Sequence, residues 1–384
     1  MIQQDSNAGI HTLYGTPLSL YTGKARAYLI KQRIPYREIT PTTAHFRDQV
    51  RPNAGGQSIP IIETAEGEVI RDSTAIIDHF ETLSGGQALP KGPRQRFLAR
   101  LFDVIGSEGL LRPAMHYRWN YPAENLNFLA FHFQSMIPRD RDRVELAEKT
   151  MLRMRNAGEA FGAVSSTFTL VESLYADFLN MLNSHLRDMP YLLGSTPTIA
   201  DYGMMAPMYA HLGRDPKPLA QMQAQAIHVF RWVERMNRPE PDIGEYAIAD
   251  EEANLIRAQE EGADHVPDSL IQLLRHIARD LVPETVAAAT LINRWLDEQQ
   301  PKPLTPIERG VGFCRFEIDQ DSINALAQPY RFFLLARVQA DYEALDVADQ
   351  ASVMAMADKC HLAPLLSAKL TREIARANNQ EVWL

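Results

Sequence analysis

Cysteine, long apolar runs and surplus positive charge are all scarce in this chain, and each shortage argues against a class of protein. Only two cysteines occur in 384 residues, Cys314 and Cys360. A disulfide framework or a cysteine-rich zinc site is therefore not expected. No apolar stretch approaches the roughly 18 residues that a membrane helix needs. Residues Met1 to Gly9 have neither a basic region nor an apolar one, so no signal peptide is expected. Net charge is −9, against a partner held by a basic surface, nucleic acid above all. His265, His276 and His361 lack metal-ligand spacing, and no metal is expected. The Cys360-His361 pair reads best as a buried thiol. The expectation is a soluble cytoplasmic protein without a membrane partner.

What the chain does have is an ordered set of short signals between residues 12 and 82. Thr12 to Tyr21 reads as a strand and a turn carrying a hydroxyl, Ser19. The run from Lys24 to Lys31 reads as a helix. Ser58-Ile59-Pro60-Ile61-Ile62 is a strand interrupted by proline, and Val69-Ile70 is a second strand. Asp72-Ser73 then opens an apolar helix from Thr74 to Phe80. That order suits a small α/β domain able to hold an extended thiol peptide along its edge.

The length allows two or three domains. The first unit ends near Gly85-Gly86 and covers 11–86. The second, 94–240, is helical in pattern, with Phe97, Leu98, Leu101, Phe102 and Ile105 at helical spacing. Thr198 and Asp201 form a capping box at a helix start. Residues 242–264 are acidic and read as a linker or a solvated helix. The third unit, 265–384, is mostly helical, with a short strand expected between Gly310 and Asp319, where Cys314, Phe316 and Ile318 alternate with polar residues.

Each signal in the first unit has a plain reading and a chemical one. Ser19 can cap a helix. The same helix start offers free amides and a positive dipole end, which favour a thiolate, and a hydroxyl donating to the sulfur favours it further. Pro60 can sit in an ordinary trans turn. A cis Ile59-Pro60 bond would instead turn the Ile59 backbone outward to pair with an added peptide strand. Asp72-Ser73 can cap a helix. It can also bind the carboxylate and ammonium of an amino-acid end.

Taken together, Leu13 to Tyr21 with Lys24-Ala25-Arg26, Ile34-Pro35-Tyr36, Asn53 to Ile62, Asp72-Ser73, and Thr198 to Asp201 resemble the glutathione transferase superfamily. The likeness covers roughly residues 11 to 238. It implies a thioredoxin-like α/β domain followed by an all-α domain, commonly as a homodimer, with glutathione as co-substrate. By that resemblance Ser19 is the catalytic, sulfur-facing group. Ile59 and Pro60 pair with the cysteinyl backbone, and Asp72 and Ser73 grip the γ-glutamyl end. Leu20 departs from the proline common after such a serine. His45, Arg47 and Gln57 are candidates for the glycyl carboxylate, and Tyr14 and Tyr21 are rival hydroxyls.

Met115 to Tyr121 is dense in aromatics, so His116, Tyr117 and Trp119 are candidates for the pocket of a small hydrophobic electrophile, or for packing against the third unit. Met204, Met205 and Met208 read as helix core. The third unit matches no motif, and its expected role is to cover the electrophile pocket or add to a subunit contact. The functional expectation is a transferase that activates glutathione for attack on that electrophile. The rival is a non-catalytic glutathione-binding or interaction module on the same scaffold.

Overall fold

A computed structural model describes residues 9–246 and 264–384. Most of the acidic stretch at 242–264 lies outside the described residues.

The first domain is built on β1 (His11–Tyr14), α1 (Leu20–Lys31), β2 (Tyr36–Ile39), β3 (Ile61–Glu63), β4 (Val69–Arg71) and α2 (Ser73–Ser84). The sheet order is β2-β1-β3-β4. β1 and β2 are parallel, with Leu13 opposite Glu38, and α1 makes the crossover. β3 runs antiparallel to β1, and β4 to β3. This is a thioredoxin-like arrangement. α1 is buried on nearly every side, because α8 (Ile199–Ala210) packs on it from the second domain. Its polar residues therefore need partners. Lys24 is 1% exposed and meets Asp103 at 2.5 Å and the Thr74 hydroxyl at 2.8 Å.

The second domain is all-helical. Besides α8 it contains α3 (Pro93–Val104), α4 (Leu111–Trp119), α5 (Pro122–Ser135), α6 (Arg143–Glu159), α7 (Phe168–Asp188), α9 (Pro216–Gln225) and α10 (Ile227–Met236). The capping box is present: Asp201 accepts from the Thr198 amide at 2.9 Å, and Thr198 caps α8. Asp201 also accepts from the Trp232 indole at 3.0 Å, which ties α8 to α10. Met204, Met205 and Met208 are core.

The extension begins with the 32-residue α11 (Asp268–Gln299), laid along α7. The expected strand is β5 (Phe313–Ile318), with Cys314, Phe316 and Ile318 turned inward. It pairs with β6 (Asp321–Leu326), and the hairpin packs on α11. α12 (Pro329–Glu343) packs against α3, and α13 (Val347–Lys359) follows. The mostly helical extension does not end on a helix. It closes instead with a hairpin, β7 (Ile374–Ala377) and β8 (Gln380–Trp383). Its turn, Asn378-Asn379, is left-handed at both residues, a conformation asparagine tolerates. Cys314 and Cys360 are free and buried. The whole is a thioredoxin-like α/β domain, an all-helical domain and a mostly helical extension. No described helix is long and apolar enough to cross a membrane.

Candidate active site between the domains

A cavity of about 280 Å³ lies where α1 begins. Ser19, Tyr21 and Ile59 of the first domain line it, with Met115 and Trp119 of α4 and Arg309 of the extension. Ser19 is the N-cap of α1, and its Oγ accepts from the Thr22 amide at 3.2 Å. Accepting that bond leaves the hydroxyl proton to give. The plain and chemical readings of Ser19 are thus compatible in one geometry. The turn before it is pinned by Arg118, whose guanidinium donates to the Leu18 carbonyl at 3.0 Å and to Asp215 at 2.6 and 2.9 Å. No local pattern marks Arg118 in sequence, because its partners lie about a hundred residues away in either direction.

The rival hydroxyls both have other acceptors. Tyr14 is 1% exposed and donates to Glu63 at 2.9 Å. Tyr21 touches the cavity, but its hydroxyl lies 3.2 Å from both the Ser107 carbonyl and Glu108. Burial drives the acidity of Tyr21 down, and the nearby Glu108 adds to this. Burial also raises the Glu108 carboxyl to about 7, against the pull of Arg331.

The Ile59-Pro60 bond is cis. Pro60 is buried, and its carbonyl accepts from the Asp72 amide at 3.1 Å. Among the described residues nothing hydrogen-bonds the Ile59 amide or carbonyl, so that edge is open to an added strand.

The Asp72-Ser73 end differs. Asp72 is the N-cap of α2 at φ +86°, accepting from the Thr74 and Ala75 amides at 2.8 and 3.2 Å. Its other oxygen accepts from the Tyr330 hydroxyl of α12 at 2.9 Å. Ser73 is the first helical residue and 0% exposed, and its Oγ has no hydrogen-bond partner among the described residues. The terminal hairpin sits beside this end. Asn379 donates to the carbonyls of Asn53 and Val69 at 3.1 and 2.8 Å, and Arg71 donates to its carbonyl at 2.8 Å. Gly55 is left-handed at φ +66°, and a Cβ there would lie 2.6 Å from the Asn378 carbonyl. Only glycine lets the loop pass so close.

Two candidates for the glycyl carboxylate are engaged elsewhere: His45 with Glu63 at 2.9 Å and Arg47 with Asp48 at 2.7 Å. Gln57 is exposed. Of the three aromatic candidates on α4, Trp119 lines the cavity and the other two do not. His116 and Tyr117 lie on the far face of α4. His116 bonds Glu172 at 2.8 Å, and burial makes it less basic than usual. Tyr117 stacks on Tyr121 at 5.6 Å. Met115 and Trp119 are four apart and share one helix face, while 116 and 117 are turned away from it. Among the described residues no cluster suits a metal ion.

Residues 13–88 match the family described as glutathione S-transferase, N-terminal domain. Residues 163–239 match the family described as nuclear-export cofactor Arc1p. Comparison with curated proteins finds no match. Among solved structures the chain is similar to the β-etherase LigF from Sphingobium sp. strain SYK-6. That likeness has 18% identity, covers 61% of this chain and 97% of that one, and has a TM-score of 0.42. It is also similar to Gtt2 from Saccharomyces cerevisiae, at 16% identity, 61% and 99% coverage and a TM-score of 0.34. A glutathione S-transferase from Methylobacterium radiotolerans, in complex with glutathione sulfonate, has 16% identity, 60% and 92% coverage and a TM-score of 0.36.

Proposed function

We propose that the chain is a glutathione-dependent transferase, starting from the match of residues 13–88 to the glutathione S-transferase N-terminal domain. The observation that carries the reading is that Ser19, Ile59 and Trp119 line one cavity. Glutathione would pair its cysteinyl backbone with Ile59, beside Pro60, and bring its sulfur to Ser19. The Ser19 hydroxyl and the amides opening α1 hold the sulfur as thiolate. The thiolate attacks an electrophilic carbon of a small hydrophobic substrate in the cavity, forming a C–S bond as the leaving group departs. Asp72 and Ser73 hold the γ-glutamyl end once Tyr330 gives way. The same reading makes the protein cytoplasmic and a homodimer.

One observation favours a second reading, a non-catalytic module. Ser73 is sealed, and Asp72 is already bonded to Tyr330. If Tyr330 never gives way, the γ-glutamyl grip is lost and the scaffold serves binding alone.

The test is thiolate absorbance against pH at saturating glutathione, for wild type and Ser19→Ala. One hydrogen bond to a charged group is worth about 1.5–3 kcal/mol. Its loss should raise the thiol pKa by about one to two units and slow turnover at neutral pH about 10- to 100-fold. Identical titration curves would remove Ser19 from its role. Glutathione binding without turnover over a broad panel of electrophiles would favour the second reading.

A further inference from the structure

Arg309 is the cation that the sequence reading did not anticipate at this site. It lies on the strap between α11 and β5, far from the first domain in sequence, yet it lines the cavity beside Ser19 and Ile59. The strap is held on both sides of it. The Ile307 amide donates to the Glu381 carbonyl at 2.9 Å, and the Val311 amide to the Ala327 carbonyl at 3.1 Å. Glu308 accepts from the Trp383 indole at 3.0 Å. The position of Arg309 is therefore built, while its side chain is exposed.

Other arginines near the site are satisfied. Arg118, on the same cavity wall, is bonded to Asp215, and Arg331 meets Glu284 at 2.9 Å. Arg309 has no hydrogen bond or ion pair to any described residue. The acid whose field it shares, Glu108, is buried, and burial raises its carboxyl to about 7, so at neutral pH it offers only part of a counter-charge. Much of the remaining wall is apolar, with Met115, Phe133 and Met154. A largely apolar cavity with one guanidinium unpaired among the described residues asks for an apolar body bearing an anionic group.

We propose that the extension completes the binding site through Arg309, and that Arg309 binds the carboxylate-class anion of a small molecule held in the cavity. The inference rests on the reading of this cavity as a small-molecule site. The anion could be carried by the second substrate or by the thiol co-substrate, and the test separates the two.

The full chain is titrated with two fluorescent probes of similar aromatic body, anilinonaphthalene sulfonate, which is anionic, and phenylnaphthylamine, which is neutral. Glutathione is titrated separately by calorimetry. Arg309→Gln should weaken the sulfonate about tenfold or more, as expected for one charge-assisted hydrogen bond, and leave the neutral probe unchanged. Arg309→Lys should restore part of the loss. Arg309 is exposed, so the melting temperature should hold in both variants. Loss confined to the sulfonate assigns the anion to the second substrate. Loss confined to glutathione assigns it to the thiol. Equal loss of both probes, or no loss with any ligand, overturns the proposal. Wild type that discriminates the probes by charge yet ignores glutathione would sink the transferase reading and leave this one standing.

Discussion

At one end of the first domain, Ser19 and Ile59 face a cavity, and the Ile59 backbone is unpaired among the described residues. At the other, Asp72 and Ser73 lie beneath α12 and beside the terminal hairpin, with Asp72 bonded to Tyr330 and Ser73 out of solvent. The family resemblance assigns both ends to one ligand. What separates them is the extension. It leaves the Ser19 end open and adds Arg309 to it, while it covers the Asp72-Ser73 end. Residue identity can be carried over from a family, but access to a residue depends on everything that packs above it.

The largest effect should come from breaking the clamp that seats α12. Glu284 of α11 is buried between Arg112 of α4, at 3.0 Å, and Arg331 of α12, at 2.9 Å. Asp280 also binds Arg112. Removing one partner from a buried ionic cluster leaves uncompensated charge and costs about 3–5 kcal/mol. Glu284→Gln should lose that much in urea denaturation, and it should expose Asp72 to glutathione by freeing Tyr330. A loss under about 1 kcal/mol would mean that the seal does not depend on this cluster.

The second effect lies at the join between the two ends, where Glu108 accepts from Tyr21 and faces Arg331, Arg309 and Glu284. Its carboxyl is raised from 4.5 to about 7 by burial. The folded chain therefore keeps a proton that the unfolded chain releases. The stability this gives is fully present below 4.5 and is lost as pH rises through about 7. The loss from this one group is at most about 3.4 kcal/mol. Glu108→Gln should flatten the stability profile between pH 5 and pH 8, read by denaturant midpoints across that window. An unchanged slope would mean that the Glu108 carboxyl is already ionised in the folded protein.

The open end was more legible in sequence than the sealed one, and for a physical reason. Ser19, Ile59 and Pro60 sit in a local grammar of strand, turn and helix start, and short-range pattern carries that grammar. The cap at Asp72 is local too, although the pair alone did not say which of its two residues caps the helix. Tyr330 on Asp72, Asn379 on the 53–58 loop and Arg309 at the cavity are contacts across some 250 to 330 residues. No periodicity encodes them. His116 and Tyr117 were paired with Trp119 because all three share one aromatic stretch. Helix rotation turns them to the other face, and composition alone does not report facing. The expectation of a mostly helical third unit does not single out the terminal hairpin. The Asn378-Asn379 turn is the local signal that marks it.

The smallest effect, and the sharpest test of the sealed end, is expected from Ser73→Ala. As a helix cap, Ser73 would lose about 1 kcal/mol of stability on truncation. In the fold, however, Asp72 carries the cap, and the Ser73 hydroxyl is buried with no partner among the described residues. An unsatisfied buried hydroxyl costs about 1–3 kcal/mol, so deleting it should hold or raise stability, by about 1 kcal/mol. Binding should move the opposite way. If Tyr330 gives way and Ser73 then meets the γ-glutamyl carboxylate, the same substitution should weaken glutathione about tenfold. Thermal melting and calorimetry on one variant thus read opposite signs. Lower stability with unchanged affinity would return Ser73 to a capping role. Raised stability with unchanged affinity would mean that the seal stays closed and that glutathione, if it binds, is held from the Ser19 end alone.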